Sequence, residues 1–395
     1  MKRNVTRVLI WYLVAAWVVI QVADVVSPAL ALRIPLVRYL IYLAIAGLPI
    51  ALLVGWLRKG PDESKPVSAK KVVEGKPLTP EAYELYVRAN HLATQSSKWT
   101  EAIAAYRDCL NLDPEFAPAW ARMARCYRLL AKWGRDDAET DSNLAEAIKC
   151  FDRALELNPD LPLTHSLYAQ LEIDTGRPEE AMVRLLARAQ TGAADAEIHA
   201  ALVQAFRFVG LLDESVAAYE RAIKLDPNVR TGIAHTYFML SRYDDALNEY
   251  RNADIGYLEA LALAMLGRSE EAIVLLRTRE EAGSVLGPYL GSLRALLEGN
   301  RDEAMEKMSQ ALTQALTRDG EAVFYLARQY AYLGEADNAM ELLQHSIKSG
   351  FVCYPRFKAD PWLDALRDTN TFKGLLRAAE TRHRQAQESF RIVSA

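Results

Sequence analysis

The sequence predicts an all-α protein: two N-terminal transmembrane helices, then an α-solenoid of helix-turn-helix units wound into a right-handed superhelix. Three observations predict it. A fourteen-residue phrase is stated three times, as EAIAAYRDCLNLDP from Glu101 to Pro114, EAIKCFDRALELNP from Glu146 to Pro159 and ESVAAYERAIKLDP from Glu214 to Pro227. Equivalent residues of neighbouring units recur 34 positions apart, as His165 to His199 and Gly176 to Gly210, a period of stacked helix pairs. Finally, residues 8–26 and 39–57 form two apolar runs, each near the roughly 20 residues that cross a hydrocarbon core.

Composition narrows the function classes. The 395 residues, 51% hydrophobic, supply ample core, and a formal charge of −4 carries no basic excess, so nucleic acid is not an expected partner. The four cysteines form no CxxC pair. Cys109 stands where the other copies of the phrase have Ala154 and Ala222, so the thiols read as reduced core residues rather than disulfides or metal ligands.

Residues 1–59 read as a membrane anchor. Lys2, Arg3 and Arg7 precede the first run, and Arg58 and Lys59 follow the second, against Arg33 and Arg38 between them. The positive-inside rule then places both termini and the solenoid in the cytoplasm, at a bacterial inner membrane. A cleaved signal peptide ending at Ala29-Leu30-Ala31 is the rival reading, opposed by Asp24 and the second run. Gln21 and Asp24 admit an intramembrane contact or an interfacial pair of Asp24 with Arg33 or Arg38. Residues 60–79, rich in Pro, Lys, Ser and Gly, read as a flexible linker.

Residues 80–346 read as about eight degenerate helix pairs. Within the phrase, Ala102, Ala105, Tyr106, Cys109 and Leu110 share one helical face, and Asp-Pro or Asn-Pro ends each copy, because proline disfavours helix in the residue before it. Thr79-Pro80-Glu81 supplies a capping hydroxyl and a first-turn proline. Residues 132–143 read as an insertion that lengthens one turn, its acidic DDAETD a solvated loop without the glycine of a calcium site. Residues 347–395 read as a capping helix and tail. Pro361 and Trp362 enter the helix and Phe372, Leu375 and Leu376 cover the last unit, with a frayed helix or a disordered end from Arg384 to Ala395.

The aromatic and small residues carry a family resemblance. Trp120, Ala124, Tyr127, Gly176, Ala181, Gly210, Ala102, Ala147, Tyr106, Tyr219, Pro114, Pro159 and Pro227 are similar to the pattern of tetratricopeptide repeats. The opening RNVTRVLIWYLVAAWVVIQVADVVSPAL and the closing FKADPWLDALRDTNTFKGLL resemble a bacterial membrane-tethered family of such proteins. In that family a cyclase, kinase or winged-helix domain often precedes the membrane segment. Seven residues precede the first run here, so no such effector is expected.

No nucleotide loop, nucleophile elbow, HExxH pair or dinucleotide fingerprint occurs, and no enzyme, cofactor or metal is expected. His165 and His199 take aromatic slots and read as packing residues. What remains is the concave face. Helical register places Arg125, Arg128, Gln170, Gln204, Arg207, His235, Tyr289, Phe324 and Arg328 there, where arginine forks and amides suit peptide carboxylates and aromatics supply anchors. They do not reproduce the carboxylate clamp of chaperone-binding repeat domains. The expected function is a membrane-anchored scaffold that binds a protein or peptide in this groove, with the bilayer as second partner. The alternative is a regulatory subunit of a membrane enzyme or transporter, contacted through the spans.

Overall fold

The computed structural model describes residues 76–394 apart from 78, 135–136, 192–194, 251–255, 281–285 and 313. Among them the chain forms eight helix pairs and no strand. The pairs are α1 (Pro80–Leu92) with α2 (Trp99–Leu112), α3 (Ala117–Trp133) with α4 (Asp137–Leu157), and α5 (Pro162–Asp174) with α6 (Pro178–Gln190). Next come α7 (Ala196–Phe208) with α8 (Leu212–Leu225), α9 (Ile233–Met239) with α10 (Tyr243–Tyr250), and α11 (Gly256–Met265) with α12 (Ser269–Arg279). Then α13 (Gly287–Leu297) pairs with α14 (Arg301–Ala311), the short α15 (Gln314–Thr317) follows, and α16 (Gly320–Tyr332) pairs with α17 (Ala336–Lys348). The chain closes with α18 (Tyr354–Ala359) and α19 (Asn370–Ser394).

Local chemistry sets the boundaries. Thr79 accepts a hydrogen bond from Ala82 N–H at 3.1 Å to cap α1, while Asp195 and Asp319 do the same for α7 and α16. Between the helices of a pair, Gly176 sits at φ +79°, and Arg177 N–H donates to the Glu172 carbonyl at 2.8 Å. The same backbone bond recurs from Leu211 to Phe206, Arg268 to Leu263 and Glu335 to Tyr330, a glycine cap that satisfies helix-end carbonyls. A second device recurs after the proline stops. Trp120 Nε1 donates to the Pro114 carbonyl at 2.9 Å, and His165 Nε2 takes the equivalent place on Pro159 at 2.8 Å.

Packing within each pair depends on a small residue in its second helix. Ala102, Ala147, Ala181, Ala246, Ala272, Ala304 and Ala339 are fully buried. In the fourth pair Ser215 takes this place and bonds the Val203 carbonyl at 2.8 Å and Thr236 Oγ1 at 2.9 Å, so its hydroxyl is satisfied.

The late elements return to the early ones. α19 lies along α6, where Ser389 donates to Glu179 at 2.5 Å and Gln190 donates to the Val393 carbonyl. Val352 N–H donates to the Phe208 carbonyl at 2.7 Å, His383 Nδ1 to the Val209 carbonyl at 2.9 Å, and Phe390 packs edge-on against Phe206. Arg318 donates to the Gly134 carbonyl at 2.7 Å, bringing the start of the eighth pair against the end of α3. The solenoid is therefore closed on itself.

The membrane part of the expected fold class is corrected. Among the described residues no helix is long and apolar enough to cross a membrane, and the runs 8–26 and 39–57 lie outside those residues. The longest helices, α4 and α19, interleave charged and apolar positions, as Lys373, Arg377, Arg384 and Arg391 show, and such a surface suits packing on one face rather than insertion. What stands is an all-α solenoid. Spans, bilayer partner and inner-membrane location are not carried forward. Two local readings also change. The acidic stretch from Asp137 onward belongs to α4, which runs for 21 residues with no glycine or proline to stop it. The tail beyond Arg384 stays helical because Ala386, Phe390 and Val393 pack against the early pairs.

Closure needs glycine at its seam. Gly350 has φ +91°, and a Cβ there would meet Gly176 Cα at 2.7 Å, backbone that cannot swing aside. Gly350→Ala should cost more than Gly267→Ala, whose φ of +76° is similar but whose Cβ position is open. Denaturant unfolding should show roughly 1–2 kcal/mol lost at 267 from the left-handed backbone alone, and a clearly larger loss at 350. Equal losses would contradict the close approach.

Candidate functional site

Most of the groove side chains expected to meet a partner meet the chain itself. Arg207 makes a two-pronged contact with Glu321 at 3.0 and 3.1 Å, across 114 residues, and also donates to the Gly232 carbonyl at 3.1 Å. His235 Nδ1 lies 3.3 Å from the same carboxylate. Burial pushes the Glu321 carboxyl up, but Arg207 and His235 outweigh it and hold the group down at about 2. Arg128 is paired with Asp174 and donates to Gln170 Oε1 at 2.9 Å. Lys132 bridges Asp174 and Asp319, each at 2.8 Å, so the third and eighth pairs share one cation. Burial opposes that lysine's charge, and the two carboxylates more than restore it.

Arg328 is fully buried. It is paired with Asp360, which also accepts from Arg356 at 3.0 Å, and its guanidinium lies over Trp362 at 4.6 Å. Arg356 reaches on to Ser241 Oγ at 2.9 Å, where Ser241 holds the left-handed turn (φ 59°) that glycine holds in most other pairs. Phe324 is fully buried against Phe351 and Phe357, at 5.3 and 5.2 Å. Tyr289 stacks on Tyr257 at 4.0 Å. Gln204 is half-buried on α7.

Two openings among the described residues are of ligand size. One, of about 480 Å³, lies over the early pairs and is lined by Asn90, Thr94, Arg122, Arg125, Leu163 and Arg230, with Asp195 and Glu197 at its edge. Arg122 donates to Tyr86 Oη at 2.7 Å. Arg125, half-buried, donates only to the Ala93 carbonyl at 3.5 Å; burial and then the neighbouring Arg128 lower its proton affinity. Asp195 spends its carboxylate on the α7 cap. The other opening, also about 480 Å³, lies among the starts of α9, α11, α13 and α16 and is mainly aromatic and aliphatic. Of the expected residues, Arg125 lines the first opening and His235 and Tyr289 the second. Arg122, Arg230 and Asn90 were not expected. Arg122, one turn before Arg125 on α3, was within reach of the same register argument.

Profiles of the tetratricopeptide repeat match residues 140–205 and 196–229. Residues 140–229 are tetratricopeptide repeats. These profiles describe the repeat itself and bear on no narrower family. No curated protein matches the chain significantly. Among solved structures, the chain is similar to PilW, a widely conserved type IV pilus biogenesis factor, at 18% identity and TM-score 0.33, covering 60% of this chain and 94% of that one. It is also similar to the APC/C hetero-tetramer Cut9–Hcn1, at 14% identity and TM-score 0.41 over 88% and 84%. Yeast Tom70 matches at 14% and TM-score 0.24 over 78% and 70%.

The repeat is a protein-interaction module, and the described residues hold no group of three metal-capable side chains. His165 and His199 are half-buried, and burial depresses the proton affinity of both rings. The four cysteines are free and buried, and burial pushes the Cys150 and Cys353 thiols up to about 12, away from nucleophilic use.

The Glu321 contact makes stability depend on acid. Its folded value lies below the ordinary 4.5, so its contribution is complete above that range and is lost as pH falls towards about 2. A shift of this size corresponds to about 3 kcal/mol. Urea unfolding of the native chain and of Glu321→Gln should therefore differ most near neutrality and converge on acidification. A difference that stays constant with pH would contradict the assignment.

Proposed function

We propose that the chain is a protein-interaction scaffold whose working surface is the basic opening over its early repeats. The observation that carries this is a contrast among arginines on one concave face. Arg128, Arg207 and Arg328 each have a carboxylate partner within the chain, whereas Arg125 lies in an opening with Arg122 and Arg230 and only a long backbone contact of its own. A half-buried guanidinium without a carboxylate is desolvated without compensation, and a partner's acid would supply it. Asn90, with Tyr106 Oη donating to its Oδ1 at 2.6 Å, is held ready to donate its amide to a peptide carbonyl. The partner is therefore an extended segment carrying an acidic side chain or a terminal carboxylate, with an apolar residue against Leu163 and Leu167.

The proposal is tested with a panel of extended acidic and amide-matched peptides. Arg125→Ala should leave the circular dichroism and unfolding midpoint unchanged and weaken acidic-peptide binding by roughly 10-fold or more. Raising salt should weaken the native complex and leave the variant's residual binding nearly unchanged. Equal binding of acidic and amide peptides to the native chain would contradict the reading.

A further inference from the structure

The second opening has the character of a small-molecule site. Its volume of about 480 Å³ falls within the range of ligand pockets, and its walls are apolar with few polar groups. Tyr257 and Tyr289 stack at 4.0 Å with their planes 30° apart, and Tyr325 stands edge-on to Tyr257 at 6.0 Å. Leu258, Leu290 and Leu316 complete the apolar wall. Tyr289 is anchored through its hydroxyl, which donates to the Ala322 carbonyl at 3.4 Å.

The polar groups narrow the ligand class. Both carboxylates in the lining are already matched. Asp319 faces Lys132 and caps α16, and Glu321 faces Arg207 and His235. An added cation would find no uncompensated carboxylate, and an anion would meet two acids beside Arg279, which also lines the opening and already has an interaction of its own. His235 differs. Glu321 can only accept, so Nδ1 carries the proton of that contact, and in the neutral ring Nε2 presents a lone pair. Nε2 has no protein partner among the described residues, and the side chain is 24% exposed.

We propose that this cavity binds a neutral planar aromatic molecule bearing one hydrogen-bond donor, of the phenol or indole type, with its ring among the tyrosines and its donor on His235 Nε2. Phenol and indole groups occur both as free small molecules and as side chains of a bound peptide. The site is separate from the basic opening, so either assignment can fail alone.

The test uses naphthol, naphthol methyl ether and N-acetyltryptophanamide as probes, titrated into the full chain by calorimetry. Naphthol should bind at least about tenfold more tightly than its ether, because the ether leaves the acceptor unpaired. His235→Phe, which keeps a ring against Tyr250, should remove that preference while circular dichroism stays native. N-acetyltryptophanamide binding as tightly as naphthol would support a peptide side chain as the source; weaker binding would support a free small molecule. Equal binding of naphthol and its ether to the native chain overturns the role of His235, and no binding of any probe at millimolar concentration overturns the site. The comparison of the two naphthyl probes needs no variant, so a His235→Phe chain that fails to fold leaves the test intact.

Discussion

Buried arginine–carboxylate pairing between distant repeats is the constraint on which the architecture rests. In an open solenoid each unit touches only its neighbours and any unit can be added or lost at an end. Here Arg207 and Glu321 are 4% and 8% exposed and 114 residues apart, and Arg328, Arg356 and Asp360 are fully excluded from solvent. A buried charge whose partner is withdrawn costs several kcal/mol. The Arg207 contact therefore forms only when the eighth pair sits against the fourth, and Arg356 adds a bond to Ser241 of the fifth pair while sharing Asp360 with Arg328. Apolar packing such as Phe206 on Phe390 would tolerate sliding, whereas a two-pronged guanidinium contact fixes register.

The closure changes what the concave face can do. Its basic residues are mostly structural: Arg128 ties the second pair to the third, Lys132 links the third to the eighth, Arg207 links the fourth to the eighth, and Arg328 fixes the tail on the eighth pair. Two ligand-sized openings among the described residues have opposite characters. One gathers arginines at the early end, where Arg125 has no carboxylate partner among the described residues. The other gathers tyrosines around a histidine whose outer nitrogen is unspent. A scaffold built this way would offer two separate openings rather than one adaptable trough.

Much of the fold was legible from short-range pattern. The recurring phrase placed α2, α4 and α8, the proline stops gave their ends, and the 34-residue spacing matched the glycine turns at Gly176 and Gly210. Those signals work because capping and helix pairing are decided within one or two turns of chain. Register likewise put Arg128, Arg207 and Arg328 on the inner face. It could not show that their partners were Asp174, Glu321 and Asp360, because no periodicity connects residues 32 to 114 positions apart. The tail was misread for the same reason. Its last turns look too polar to stay ordered until α6 is placed beside them. The apolar runs near the N-terminus read as spans on hydropathy alone, and the described helices give that reading no support.

The account stands most directly on the contact between α6 and α19. Glu179 and Ser389 touch across 210 residues of sequence, and the native cysteines are buried. A Glu179→Cys/Ser389→Cys chain, treated at low concentration with a short bis-maleimide linker and analysed by mass, should gain one intramolecular cross-link in nearly every monomer. Each single variant should form none. A folded double variant that stays unlinked, or that links only between molecules, would contradict the closure.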